Sequence, residues 1–323
     1  MEGSGKDSER GWHAGDFLVN IHLSLIPARD VILPPISSKV IKNLIDSGSF
    51  LKGLGTLSSS KDHYKPFFIS CLYRDNGERL YRVHSRRASD ILLIARGGEH
   101  LMARVSAVVP REVIGDLLSI GRGGFETSYG PFNVALDKIE VIDLKELRLD
   151  LSRGFVMTFK TPVILSPKII LPPLKKIMDK YGKMKIGHLT LPVPGLIFAH
   201  ALRLWNRAVP EDLRLTRPND KDDIYSYRVA VMGTALTEVI GYKTWTETVI
   251  LGKNEKGVLR KTRGFRGYIV MNIKHKITRK AMERALALAK YLGIGRSRGI
   301  GLGEVGIDPR VVEEGVELGS EGI

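Results

Sequence analysis

A single cysteine, Cys71, in a chain of 323 residues excludes an intramolecular disulfide and any zinc site built on several cysteines. The sequence also has no run of about 18 uninterrupted apolar residues, so it contains no candidate transmembrane helix. Residues 1–15 are polar and lack the apolar stretch of a secretory signal peptide, so we expect a flexible N-terminal tail. These absences are typical of a protein in a reducing cytoplasm, which is where we expect this one to act.

Aromatic residues are scarce as well, at 7%, whereas apolar residues altogether make up 43% of the chain. The chain can therefore build a sizeable core, and that core must be mostly aliphatic. Positive charge is abundant: 50 Lys and Arg against 35 Asp and Glu give a net charge of +15. A surplus of this size favours a polyanionic partner, although a generally basic surface of the thermophilic kind would also explain it. The basic residues are spread along the chain, which indicates a folded basic surface and not a disordered arm.

Hydrophobic periodicity predicts the same succession of elements twice along the chain. In the first half, residues 16–27 alternate as a half-buried strand does. Residues 40–45 repeat at helical spacing behind Ser37 and Ser38, either of which could cap the helix. The other elements predicted in this half are strands at residues 67–74, 79–83, 101–109 and 132–144, a helix at residues 110–119 and a glycine-containing loop at residues 121–124.

The second half repeats the pattern and ends in the same order of helix, glycine-rich loop and strand. Its predicted elements are strands at residues 155–165, 245–251, 258–273 and 303–307 and helices at residues 196–205, 228–239 and 279–292. Two βαββαβ units in succession indicate an α+β fold of tandem ferredoxin-like domains. We place these domains at residues 16–150 and 151–309, with an acidic flexible tail at residues 310–323.

The most informative motif is GIGRSRGIGLG at residues 293–303, with five glycines and two arginines in eleven residues. It lacks the Lys and Ser or Thr of a P-loop. It also follows a helix and precedes a strand, which is the reverse of a Rossmann loop. A purely structural turn and a cradle for an RNA backbone are the alternatives that stay open. In the cradle, exposed N–H groups and guanidinium groups would bind phosphate oxygens. The residues that would do so are Gly295, Arg296, Arg298, Gly299 and Gly301.

Together with five other segments, this loop resembles the RAMP superfamily, and in particular its CRISPR-associated endoribonucleases of the crenarchaeal type that process precursor crRNA. The resemblance covers most of residues 17–307. The segments are VILPPISSKVIKNLIDSG (31–48), KDHYKPFFIS (61–70), GGFETSYGPF (123–132), LPVPGLIFAHAL (191–202), GVLRKTRGFRGYI (257–269) and YLGIGRSRGIGLGEV (291–305).

The resemblance implies cleavage of CRISPR repeat RNA without a metal or cofactor. The RNA's own 2′-OH is the nucleophile, and the products are a 2′,3′-cyclic phosphate and a 5′-hydroxyl. Such an enzyme must align the reacting atoms, stabilise the transition-state phosphate and help the 5′-oxygen leave. Many relatives use a histidine in or just after the first helix, but this sequence has none between Ser37 and Asp62. The crenarchaeal type relies on lysines and arginines instead.

The catalytic positions carried over by resemblance are Lys39, Lys42 and Lys65, of which the first two lie one turn apart on a helix. A lysine is a poor base at neutral pH, but nearby cations can lower its pKa, and a charged lysine can neutralise phosphate or protonate the leaving oxygen. Each lysine could equally be a solvated side chain that holds RNA without chemistry. His63 has a suitable pKa for acid–base work, although a surface loop histidine is the commoner case.

Basic residues near the start of one predicted strand, Arg260, Lys261 and Arg263, could grip the RNA strand, or could belong to a solvated hairpin. Three aromatic residues could stack on bases, namely Tyr64, Trp245 and Tyr268, whereas core packing explains Trp205 better. His200 shares a helix face with Arg203 and Arg207; that face could bind RNA, but a partly buried structural histidine is the simpler interpretation. The remaining histidines show no metal-ligand spacing, so we predict no metal.

Two other classes of function stay open. One is a non-catalytic RAMP-type subunit that binds RNA in a CRISPR ribonucleoprotein complex. The other is an unrelated basic enzyme for a small phosphorylated ligand, whose binding would survive high salt. The partners expected from the resemblance are CRISPR repeat RNA and its precursor transcript. The resemblance also leaves open a homodimer and hand-off of the product to an interference complex, and we expect no membrane partner.

Overall fold

The computed structural model describes residues 14–84, 92–118, 122–216 and 222–309. The acidic tail and nearly all of the predicted N-terminal tail lie outside the described residues. Within the described part, no helix is long and apolar enough to cross a membrane.

The first half of the chain forms a five-stranded antiparallel sheet with helices beside it. Its elements are β1 (Phe17–Pro27), β2 (Val31–Ile32), α1 (Lys39–Asp46), α2 (Gly55–Ser59), β3 (Phe67–Ile69), β4 (Ile94–Ala95), β5 (Leu101–Val109), α3 (Arg111–Leu118), β6 (Gly123–Thr127) and β7 (Gly130–Asp143). The strand order is β3-β5-β1-β7-β6, and β2 pairs separately with β4. Without the added β6, the sheet has the ferredoxin-like order 2-3-1-4.

The second half repeats this arrangement with a four-stranded sheet. Its elements are β8 (Phe155–Val163), α4 (Lys175–Tyr181), α5 (Pro194–Ala208), α6 (Asp222–Ala235), β9 (Thr237–Lys253), β10 (Leu259–Ile273), α7 (Lys276–Leu292) and β11 (Val305–Pro309). The order β11-β8-β10-β9 is again ferredoxin-like, because the first and third strands of the unit are central. The prediction of tandem ferredoxin-like domains is confirmed, while the exact division at residue 150 stays a prediction.

The two domains share apolar packing because β1 buries both of its faces. Val19 and Ile21 pack in one core with Val40 and Ile41 of α1, whereas Leu18 belongs to the core of the second domain. That second core also contains the buried stripe of α7 and nearly the whole of α5. First-domain residues such as Leu18, Phe68 and Val108 thus join the core of the second domain, and this shared packing holds the two sheets close together.

Several local predictions are wrong. Residues 79–83 form only isolated bridges, and Gly123 and Gly124 lie in β6 instead of a loop. The predicted helix at 228–239 ends at Ala235, because β9 begins at Thr237 and pairs along its whole length with β10. Neither serine caps α1: the Ser37 hydroxyl donates to the Leu80 carbonyl and accepts from the Leu72 N–H, and Ser38 makes no side-chain capping bond.

Candidate catalytic cleft

The glycine-rich segment between α7 and β11 packs directly on the first domain. Ser70 and Gly301 form a parallel bridge, and Gly301 has a φ of +88°. A Cβ at Gly301 would lie 2.7 Å from both the backbone nitrogen and the Sγ of Cys71. Only glycine fits this close approach without strain, so the segment acts as a joint between the domains.

Arg298 stabilises this joint between the domains. Its side chain is buried at 3% exposure, and its guanidinium donates to the carbonyls of Leu292 (3.0 Å), His63 (3.0 Å) and Lys65 (2.9 Å). Burial lowers the pKa of Arg298 to about 10, so the group stays charged at neutral pH. The sequence predicts that Arg298 binds RNA, and in the structure three of its donors are used by backbone carbonyls while its Nε is buried without a hydrogen-bond partner. Its position indicates that it holds the segment carrying His63 and Lys65.

That segment forms one side of a cleft of about 240 Å³ between the domains. The cleft is lined by Lys42, residues 60–63, Lys65, Phe67 and residues 297–300. The structure therefore brings together two of the three predicted lysines, the predicted histidine and part of the glycine-rich loop. Lys39 is not among the residues that line it.

Lys65 lies at the base of the cleft. Its Nζ donates to the carbonyls of Ser58 (2.6 Å) and Ser60 (2.9 Å). Burial and the neighbouring charge of Lys42 lower the pKa of Lys65 to about 8. A Cβ at Gly299 would lie 3.2 Å from the Lys65 Cε, so the glycine-rich loop touches this side chain. Lys65 is thus a positioned ammonium group with an unusually acidic proton.

Lys42 is held beside Lys65 by a small polar network. Its Nζ donates to the Ser58 hydroxyl (2.9 Å) and carbonyl (3.1 Å) and pairs with Asp46 Oδ2 at 2.8 Å. The Ser58 hydroxyl in turn donates to Asp46 (2.6 Å). Both lysine amines therefore share the carbonyl oxygen of Ser58. This places two ammonium groups side by side, one of them paired with Asp46, where they can donate to the oxygens of a phosphate.

His63 faces the same cleft from its rim. Arg296 Nη2 lies 3.2 Å from His63 Nε2. Since arginine can only donate, that nitrogen must be unprotonated and the imidazole neutral. Burial and the charge of Arg296 lower the pKa of His63. The imidazole is therefore neutral near neutral pH, and its Nε2 can accept a proton once Arg296 leaves it.

Lys39 belongs to a second basic cluster at the β9–β10 hairpin. Its Nζ donates to the Leu251 carbonyl at 2.5 Å, and burial and the charge of Arg260 lower its pKa. The Nζ of Lys261 lies 3.0 Å from Nε2 of His84. Lys261 and Arg263 are both exposed. Arg260, Lys261 and Arg263 thus form a cationic strip along β10. Lys39 and Lys42 belong to different sites, because Lys39 donates to the Leu251 carbonyl and Lys42 donates to Ser58.

Sequence reasoning missed the residues that hold the lysines. Asp46 and Ser58 carry no motif, although the spacing of Lys42 and Asp46 at i and i+4 on α1 is a signal for a pair. Of the aromatic predictions, Trp205 is confirmed as a core residue, since it is fully buried and donates to the Leu213 carbonyl. Trp245 is partly exposed on β9.

The fold and this site define a two-domain ferredoxin-like protein with a basic cleft between its domains. Residues 19–142 match the family described as the Cas6 N-terminal domain, and residues 157–305 match the CRISPR-associated endoribonuclease Cas6 family. The chain belongs to the Cas6 family.

Relatives agree with this membership, and solved structures share the fold. The chain is 33% identical over 303 residues to CRISPR-associated endoribonuclease Cas6 2 of Saccharolobus solfataricus, covering 92% of this chain and 98% of that protein. It is 34% identical over 296 residues to Cas6 1 of the same organism, covering 90% and 96%. A Cas6 product complex superposes with a TM-score of 0.59 at 16% identity, over 90% of this chain and 99% of that one. Thermus thermophilus Cas6 gives 0.55 at 14% identity, over 91% and 100%. These structural likenesses show the fold.

Proposed function

We propose that this protein cleaves CRISPR repeat RNA within precursor transcripts to release crRNAs, and that it does so without a metal ion. Its full-length relatives are named as endoribonucleases of this family. The observation that carries the proposal is the cleft in which a neutral imidazole, His63, and two ammonium groups, Lys42 and Lys65, converge. These groups can supply a proton acceptor, a proton donor and charge neutralisation.

In the proposed reaction, Arg296 moves from His63 Nε2 to the phosphate, which frees that nitrogen. The ribose 2′-oxygen then attacks the adjacent phosphorus, and its proton passes to His63 Nε2. The bond from phosphorus to the 5′-oxygen breaks, and that oxygen takes a proton from Lys65. Lys42 and Arg296 neutralise the charge that grows on the phosphate oxygens. The products are a 2′,3′-cyclic phosphate and a 5′-hydroxyl. The electron pair moves from the 2′-oxygen to the 5′-oxygen, so no oxidant, reductant or metal enters the balance.

The remaining predicted residues hold the RNA in this proposal. The exposed strip of Arg260, Lys261 and Arg263 contacts backbone phosphates, and Lys39 stabilises the hairpin that carries the strip. Gly295, Gly299 and Gly301 let the loop backbone lie against Ile164, Lys65 and Cys71, respectively. The buried Arg298 holds the loop in place through its hydrogen bonds to backbone carbonyls. A homodimer and hand-off of the product to an interference complex stay predictions.

The test is incubation with end-labelled repeat RNA in excess EDTA. We expect a single cut that is blocked by one 2′-deoxy substitution at the cut site. Lys42→Ala should slow it by roughly 10²-fold or more, the scale of one acid–base or charge-stabilising group. Lys52→Ala is the matched control, because Lys52 is an exposed lysine outside the cleft. Tight binding without cleavage by the unmodified protein would instead support a non-catalytic RNA-binding subunit.

A further inference from the structure

A second cavity of about 400 Å³ opens beside the catalytic cleft and shares His63 with it. One wall is apolar and consists of residues 164–165, Leu171, Met178 and Leu196. Its volume lies in the range of pockets that enclose small organic groups. The reaction proposed above does not use this space.

The opposite wall carries aromatic and cationic groups. The rings of Tyr64 and His200 lie 5.2 Å apart at 40°, and the Arg203 guanidinium lies 5.9 Å from the Tyr64 ring centroid. His200 is buried at 7% exposure, and its ring accepts the Gly295 N–H, with Nε2 at 3.2 Å. Arg296 stands at the rim, where it also contacts His63.

This lining selects a flat ligand with an apolar body attached to a negative charge. Three lining residues are cationic, and the described lining contains no Asp or Glu that could pair with an amine. The Lys168 ammonium is held by the Gly182 carbonyl, to which its Nζ donates, and the Arg203 guanidinium is held over the Tyr64 ring. Arg296 is therefore the cation that a phosphate at the mouth would meet first. Aromatic rings and arginine planes are the groups on which unpaired RNA bases stack.

We propose that this cavity, the base pocket, receives a single unpaired nucleobase of the RNA. Since His63 lines both sites and contacts Arg296 of the pocket, the nucleotide concerned adjoins the scissile phosphate; that placement rests on the proposed function. Holding one base outside the stack would fix the sugar–phosphate step at the cut, because in-line attack requires an aligned 2′-oxygen. The pocket is a binding and positioning site for substrate.

The test uses repeat RNA that carries a 2′-deoxy at the cut site, so that binding is measured without cleavage. An abasic nucleotide is placed at each position in turn. We expect one position at which the abasic RNA binds roughly 10-fold or more weakly, the scale of a lost base-stacking contact. Met178→Trp, at the mouth of the pocket, should weaken binding of unmodified-base RNA similarly. In that variant, the same abasic nucleotide should cause no further loss.

Met184→Trp is the matched control. Met184 is exposed to a similar extent, 51% against 42% for Met178, and does not line the pocket. It should leave both the binding constant and the abasic effect unchanged. 2-Aminopurine at the sensitive position should be quenched on binding to the wild type and less so on binding to Met178→Trp.

The base pocket is disproved if no single position is sensitive, or if the abasic loss is as large in Met178→Trp as in the wild type. Failure of the proposed function has a different signature, because it would appear as absence of cleavage of all-ribose RNA. A sensitive position far from the mapped cut would also overturn the assigned placement. Binding and cleavage therefore report separately on the two proposals.

Discussion

His63 and Lys65 lie two residues apart and face one cleft, yet their surroundings prepare them for opposite tasks. Burial and the charge of Arg296 lower the pKa of His63, so the imidazole is neutral at neutral pH. Burial and Lys42 lower the pKa of Lys65 to about 8, so the amine is still protonated at neutral pH. One group can accept a proton at the pH at which the other can donate one.

The first prediction is a bell-shaped dependence of kcat/KM on pH, which reports the groups of the free enzyme. The rate should rise with pH as His63 loses its proton, with a midpoint below the ordinary value of about 6.5. It should fall as Lys65 loses its proton, with a midpoint at about 8. Single-turnover cleavage across pH 5–9.5 at constant ionic strength measures both limbs.

Substitutions at His63 and Lys65 show which group causes each limb of the pH profile. In Lys65→Arg the charge remains but the pKa is far higher, so the descending limb should move beyond pH 9. In His63→Asn the ascending limb should vanish, and the rate should fall roughly 10²–10⁴-fold, as expected for a lost proton acceptor. An unchanged ascending limb in His63→Asn would contradict the role of the imidazole, even if the rate fell.

At the scale of elements, the glycine-rich loop is a joint whose shape depends on backbone contacts. The prediction concerns Gly301→Ala, which adds a Cβ in a left-handed backbone conformation and against Cys71. We expect the free energy of unfolding to fall by roughly 1–3 kcal/mol, the range for a strained backbone position. Urea unfolding measures it. Gly187→Ala is the control, since open space surrounds Gly187 and its φ is not positive; it should leave stability nearly unchanged.

The elements themselves follow from local sequence. The stripe of apolar residues in α1 and α7 and the alternation in β1 predict those elements correctly, because the period is a local property. The predicted half-burial of β1 is wrong, because the second domain covers its other face. The pairing of residues distant in sequence is a different matter. No local pattern shows that Arg298 binds the carbonyls of His63 and Lys65, which precede it by more than 230 residues. For the same reason, a resemblance could indicate the lysines but not the serine carbonyl that brings two of them together.

At the scale of the whole molecule, a buried ion pair joins the two domains. Arg79 of the first domain donates two hydrogen bonds to Glu304 of the second, at 2.7 and 2.8 Å, and both side chains are nearly buried. We predict that Arg79→Met lowers the free energy of unfolding by about 3 kcal/mol, because it removes both hydrogen bonds from a buried carboxylate and leaves it only Arg104 among the described residues, at 3.8 Å. Chemical denaturation at pH 7 is the measurement.

The double variant Arg79→Met with Glu304→Leu shows whether the cost comes from the orphaned charge. Replacing both partners by apolar residues should recover part of the lost stability, since neither charge of this pair then remains buried. The recovery is incomplete because Arg104 loses its 3.8 Å contact with Glu304. If the double variant is as unstable as Arg79→Met alone, the pair is needed for packing and not only for charge balance. RNA cleavage by a well-folded double variant would show that the pair positions the domains without entering the chemistry.

The salt dependence of binding distinguishes an RNA-binding protein from an enzyme for a small phosphorylated ligand. The proposal places cations at four RNA phosphates: Arg260, Lys261 and Arg263 at one each, and Lys42, Lys65 and Arg296 together at the scissile phosphate. Released counterions give a slope of about −0.7 per phosphate neutralised on a single strand, so log K should fall with log salt at a slope of about −3.

Fluorescence anisotropy of labelled, uncleavable RNA between 50 and 400 mM KCl measures that slope, and Arg260→Gln should reduce its magnitude by about 0.7. Lys145→Gln is the control, because Lys145 is an exposed lysine outside the proposed set. It should change the slope little. A wild-type slope near −1 would mean that one phosphate is bound and would favour a small phosphorylated ligand. In that case the excess of positive charge would be a general surface property, and the strip along β10 would have no RNA to hold.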